Sequence, residues 1–133
     1  MAKNYILELN ETQAKAIVLS LESFVRLGLV QYSNAIEIAL PVHRLIGHNQ
    51  IVEDACNVIK REIYKISPNG SLSICNTKEV SETVKIAHDV YEVMRNKISW
   101  DNKPEGGNGV SFSTPLQTSK EKLPIFKIEE NKA

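Results

Sequence analysis

Hydrophobic and polar positions change period several times along the chain. Tyr5, Leu7 and Leu9 fall on one face of an alternating run from Lys3 to Leu9, which predicts a short N-terminal strand. Asn10 followed by Gln13 has the spacing of a capping box and opens a helix at Glu11. Ala14, Ile17, Val18, Leu21, Phe24 and Val25 recur at spacings of three and four, the apolar stripe of an amphipathic helix, and Gly28 predicts its end. Residues 29–40 read as a second helix closed by Pro41, with a strand as the open alternative. After a connection from Val42 to Gln50, Asn49 is the predicted cap of a third helix carrying Ile51, Val52, Ala55, Val58, Ile59, Ile63 and Ile66. Ser67-Pro68-Asn69-Gly70 breaks it. Leu72 and Ile74 suggest a brief extended piece, and Thr77 is the predicted cap of a fourth helix from Lys78 to about Ser99. Its apolar face is Val80, Val84, Ala87, Tyr91, Met94 and Ile98.

The helical stripe ends at Trp100. Val110, Phe112, Leu123, Ile125, Phe126 and Ile128 have the spacing of short strands in an extended arm. An arm of this kind is expected to pack on its own core or on a neighbouring subunit, because terminal segments rarely order alone. The expected fold class is therefore α+β, mainly α. About four helices, a short N-terminal strand and an extended C-terminal arm form one domain, with residues 1–100 as the core and 101–133 as the arm. A chain of 133 residues has a poor surface-to-volume ratio, so a homo-oligomer is expected.

Charge narrows the function classes. Sixteen basic and sixteen acidic residues cancel, which argues against non-specific coating of nucleic acid. No apolar run approaches the roughly 20 residues that span a bilayer, and no signal-peptide pattern opens the chain. Cys56 and Cys75 form no C-x-x-C pair and read as free cytoplasmic thiols, small members of the core.

Few constellations carry chemistry. His43, His48 and Cys56 match no zinc spacing, so no metal site is expected. Neither a nucleophile elbow nor a catalytic cysteine context occurs. The run Glu105-Gly106-Gly107-Asn108-Gly109 follows a helix and precedes an arm, the reverse of a phosphate loop. It reads as a helix exit and turn, with Asn108-Gly109 suited to positive φ. Of four arginines, Arg26 and Arg95 lie near helix C-termini. Each is a dipole complement there, or a planar donor for phosphate.

Two stretches carry a family likeness. The first runs from Phe24 through Arg26, Leu27 and Gly28 to Gln31. The second runs from Val93 through Arg95, Trp100, Pro104 to Gly109 and Phe112, continuing through Pro115-Leu116 and Thr118-Ser119 to Leu123-Pro124. Pro68-Asn69-Gly70-Ser71 fits the layout between them. Together they resemble a widespread family of small bacteriophage proteins, over nearly the whole chain. Val30 stands where the resemblance implies a glycine before Gln31. In size and helical, oligomeric character that family is similar to phage "sponge" proteins, which sequester the nucleotide immune signals of bacterial defence systems such as CBASS and Thoeris.

The resemblance implies an anti-defence protein in the cytoplasm of the infected host. It would bind a cyclic dinucleotide, cyclic trinucleotide or cyclic ADP-ribose-type signal without degrading it, with no catalytic residue and no cofactor. Residue chemistry then assigns Arg26 and Arg95 to phosphate, Tyr91 or Trp100 to base stacking, and Gln31, Asn69 and Ser71 to polar contacts. The alternative is a protein-interaction module that inhibits a host protein or serves phage structure, marked by an exposed apolar patch and no basic concavity. A nucleotide-processing enzyme requires His88 or His43 beside the arginines. A DNA-binding regulator lacks a basic recognition helix.

Overall fold

The computed structural model describes residues 3–40, 49–66, 70–76 and 78–128. Four α-helices occur among them: α1 (Glu11–Gly28), α2 (Tyr32–Ala39), α3 (Asn49–Tyr64) and α4 (Glu82–Asn102), with a short 3-10 turn at Val110–Phe112. The described residues contain no strand, so the fold is all-helical rather than α+β. The predicted N-terminal strand is corrected for a simple reason. Residues 3–9 have no neighbouring strand to pair with, and Tyr5 and Ile6 are 91% and 94% exposed. Alternation without a pairing partner does not make a strand. Likewise Val110 to Phe112 is a 3-10 turn, and residues 123–128 are irregular.

The capping box at the start of α1 forms as predicted. Gln13 N–H donates to Asn10 Oδ1 at 2.8 Å, and Asn10 N–H donates to Gln13 Oε1 at 3.0 Å. The far end differs in detail. Gly28 lies inside the helix, and the left-handed residue is Val30, with φ 67°. Gln31 N–H donates to Arg26 C=O at 2.9 Å and Val30 N–H to Leu27 C=O at 3.1 Å, the pair of bonds of a Schellman motif. Glycine usually fills this position, and a β-branched residue there is strained. The side chain of Val30 is fully buried in the core, and that burial offsets the strain.

Gly28 has a separate purpose. A Cβ there would stand 2.5 Å from a Val84 methyl, so the missing side chain lets α1 approach α4. Glu22 lies near Tyr91, and Glu11 is held by Lys15 and by Asn102. Gly28 opposite Val84, Glu22 opposite Tyr91 and Glu11 opposite Asn102 make α1 and α4 an antiparallel pair. Val25, Val30, Leu72, Val80, Val84 and Ala87 form the core at one end of that pair, flanked by Leu21, Tyr32 and Tyr64. α2 closes on α1, where Ser23 Oγ donates to Ala35 C=O at 2.9 Å. α3 packs on α2. Leu72 is tied in by its N–H, which donates to Leu29 C=O at 2.9 Å, though no ladder forms around it.

α4 begins later than expected. Asn76 Oδ1 accepts from the N–H groups of Lys78 and Glu79, both at 2.9 Å, which holds a turn where the helix was predicted. Ser81 is the cap, its Oγ accepting from Val84 N–H at 3.2 Å. The predicted cap Thr77 lies outside the described residues, and Asn49, the predicted cap of the third helix, is the first residue of α3 instead.

Beyond Lys103 the chain turns at Gly106 (φ 78°) and returns along α4 as a strap. The positive φ falls there, not at Asn108-Gly109. A Cβ on Gly106 would meet the Trp100 ring at 2.7 Å. Asn96 Nδ2 donates to the carbonyls of Ser111 (3.1 Å) and Ser113 (2.8 Å). Two turns earlier on α4, Asp89 receives Thr118 and Ser119. Near its start, Glu82 Oε1 accepts from Lys120 N–H. The arm therefore packs on its own subunit's core.

Candidate functional site

The antiparallel pairing decides which predicted residues meet. Arg26 and Arg95 are about eight residues apart along the shared axis, or roughly 12 Å at 1.5 Å per residue. Each reaches back one turn toward the other. Arg26 Nε and Nη2 donate to Glu22 Oε1 at 3.2 and 3.1 Å, and its Nη1 donates to Gln31 Oε1 at 2.8 Å. Arg95 Nη2 donates to both Glu92 carboxylate oxygens at 2.9 and 2.8 Å, and its Nη1 donates to Tyr91 Oη at 2.8 Å. Glu22, the partner of Arg26, lies near Tyr91, the partner of Arg95, so the two arginine clusters adjoin in a polar seam where α1 meets α4. His88 joins it, its Nε2 lying 3.6 Å from Glu92 Oε1.

Burial pushes the Tyr91 phenol upward, Arg95 pulls it down, and the nearby Glu22 charge adds to the rise. The guanidinium carbon of Arg95 sits 4.8 Å from the Tyr91 ring centre, a cation–π contact that covers this aromatic face. The Arg95 Nε–H is buried and has no hydrogen-bond partner among the described residues. Unmet buried donors are rare and costly. Beside the seam, Glu22, Arg26, Asn34, Glu37 and Ile38 line an open depression of about 370 Å³. Two carboxylates face one guanidinium there, so the bare depression leans negative.

Tyr91 and Arg95 form the α4 side of the seam, while Arg26, with Gln31, borders it through Glu22 on the flank facing α2. The seam does not gather the other predicted contacts. Trp100 lies at the far end of α4, where its ring packs edge-on against Phe112 (centroids 5.3 Å, 86°) and its Nε1 donates to Phe112 C=O at 3.3 Å. Its observed work is holding the turn of the strap. Ser71 is exposed beside Leu72. Asn69 and the two histidines His43 and His48 lie outside the described residues. Glu22 and Glu92 were not foreseen, although both stand one helical turn from an arginine, the spacing at which side chains pair.

Among the described residues no group of three His, Cys, Asp or Glu side chains is placed to hold a metal ion. Cys56 is buried and Cys75 exposed, both free, and burial raises the Cys56 thiol above its ordinary value. No described helix is long and apolar enough to cross a membrane. Comparison with protein-family models, with curated proteins and with solved structures gives no match.

Proposed function

We propose that the protein is a non-catalytic binder that holds a cyclic nucleotide-type signal at the α1–α4 seam and does not degrade it. The observation that supports this reading is that the Arg26–Glu22 and Arg95–Tyr91 clusters adjoin through Glu22 and Tyr91, with the Arg95 Nε–H buried and unmet among the described residues. A phosphate oxygen satisfies that donor and offers each guanidinium a bidentate partner. Glu22 and Glu92 occupy the same donors in the free protein. Glu22–Arg26 stands at i,i+4 and Glu92–Arg95 at i,i+3, and a phosphate that takes over the same donors leaves neither guanidinium unpaired. Gln31 sets the Arg26 guanidinium, which is a positioning role. The strap and Trp100 brace α4 from the other end. In this reading the signal stays chemically whole, as befits a phage protein that blunts a nucleotide-triggered defence.

The test is a thermal-shift screen of the full chain against cyclic dinucleotides, cyclic trinucleotides and cyclic ADP-ribose isomers. A ligand that binds only the folded state raises stability by about 2.7 kcal/mol at a hundredfold excess over Kd. The reading expects a shift with one class and recovery of that ligand unaltered after denaturation. Altered ligand would make the protein an enzyme.

A second reading, a protein-interaction module, is favoured by a different observation. Ile51, Val58, Ile59 and Ile63 are all exposed on α3. Under that reading no nucleotide shifts the melting temperature, and the apolar face is the working surface.

A further inference from the structure

α3 turns its most apolar face to solvent. At 100° per residue, Ile51, Ala55, Val58, Ile59 and Ile63 share one side, while Cys56, Lys60 and Tyr64 sit on the side turned inward. Ile51 is 71% and Ile63 63% exposed, an inversion of the usual amphipathic arrangement. The charges beside this stripe are ordered. On one flank Asp54 stands in the N-terminal half and Arg61 in the C-terminal half.

From this pattern we propose that α3 pairs with α3 of a second copy, antiparallel, about a twofold axis near residues 57 and 58. The axis runs perpendicular to the plane of the two helices. It returns the same flank of each helix to the same side with its direction reversed. Asp54 of each copy then meets Arg61 of the other. Ile51 meets Ile63, Ala55 meets Ile59, and Val58 lies at the axis. A parallel pairing puts the charged flanks on opposite sides and meets none of these conditions. The surface is therefore self-complementary in both charge and apolar register, as an isologous contact requires. Glu62 is the one charge inside the stripe. Seven residues after Ala55, it lies on the face itself, and the pairing brings it beside Ile51 of the second copy with its carboxylate held by Arg61, whose Nε is 3.4 Å from Glu62 Oε1.

The four large apolar residues leave on the order of 400 Å² uncovered per copy, about half of the roughly 800 Å² per partner in a standard interface. That area fits a reversible dimer in the micromolar range more than a permanent one. The pairing is independent of the nucleotide reading, because no seam residue takes part in it.

Sedimentation equilibrium of the full chain from about 1 to 300 µM tests it. The expected mass rises from 14.9 kDa toward twice that value. Val58→Asp places two carboxylates together at the axis and is expected to leave a monomer at every concentration, with an unchanged helical circular dichroism spectrum. Asp54→Lys is expected to weaken pairing at least tenfold, and the double variant Asp54→Lys/Arg61→Glu to restore it. A wild-type monomer throughout, a dimer indifferent to Val58→Asp, or a double variant no better than Asp54→Lys overturns the proposal.

Discussion

Replacing Asp89 with asparagine should unlatch the C-terminal strap while leaving the helices in place. Asp89 is 2% exposed, and its carboxylate accepts four hydrogen bonds. Thr118 supplies its N–H at 2.7 Å and its hydroxyl at 2.8 Å to one oxygen. Ser119 supplies its N–H at 3.0 Å and its hydroxyl at 2.5 Å to the other. All four partners are arranged as donors toward an acceptor-only group. Asparagine keeps the shape but offers one oxygen and one NH₂, so two donors from one strap residue face a donor. Bonds to a charged group contribute about 1.5–3 kcal/mol each, and they are not additive. A loss of about 3 kcal/mol is a fair expectation for the pair, plus an unmet Ser119 N–H. That corresponds to roughly a hundredfold in the docking equilibrium, at 1.4 kcal/mol per factor of ten. Amide hydrogen exchange at Thr118 and Ser119 reads this opening directly. Protection there should fall about a hundredfold while the amides of α1 and α4 keep theirs. A fall of less than tenfold, or equal loss across all four helices, would refute the latch as a local device.

Acid should do the same without mutation. Burial pushes the Asp89 carboxyl up, but its four hydrogen bonds outweigh burial and hold it below its ordinary value of 3.8. A lowered folded pKa means the stabilisation is complete well above pH 4 and disappears as pH falls below 3.8. Strap-specific proteolysis should therefore begin only below about pH 4, and a release at pH 6 would contradict it. Gly28→Ala should cost about 1–3 kcal/mol in urea unfolding through overpacking on Val84, and Val84→Ala in the same chain should recover part of that loss. Val30→Gly relieves about 1–3 kcal/mol of strain but gives up about 1.5–3 kcal/mol of burial, so the two nearly cancel and a net change within about 1 kcal/mol is expected in urea unfolding; a larger gain or loss would mean that burial does not balance the strain. Glu22→Gln frees Arg26 and removes a competing charge, so phosphate-bearing ligands should bind several-fold tighter in calorimetry, whereas a purely structural pair would leave affinity unchanged.

Local signals were the legible ones. The Asn10 and Gln13 box and the buried Val84, Ala87, Tyr91 and Met94 of α4 follow from spacing within one helix and are where they were expected, and of the α1 stripe Ala14 and Val25 are buried while Phe24 is exposed. Errors arose where a local pattern lacked a partner or met a competitor. Tyr5, Leu7 and Leu9 alternate like a strand but have nothing to pair with. Asn76 captures two backbone N–H groups ahead of Ser81, and so delays α4. The substitution of Val30 for a turn glycine was visible in the chain, yet its consequence depends on a buried pocket that only the fold supplies. Asp89 is the hardest case. Nothing near it in sequence announces a latch, because its partners are about 30 residues away. The same holds for the seam, where the arginines were evident and the antiparallel geometry that makes their clusters adjoin was not.

The most direct measurement is ligand binding to wild type, Arg26→Ala and Arg95→Ala, followed by mass analysis of the recovered ligand. Sequestration at the seam predicts one class of cyclic nucleotide bound by wild type and returned intact, with affinity lost at least tenfold in both variants. Binding that survives both substitutions, or no binding of any nucleotide class by the folded wild-type protein, would contradict it.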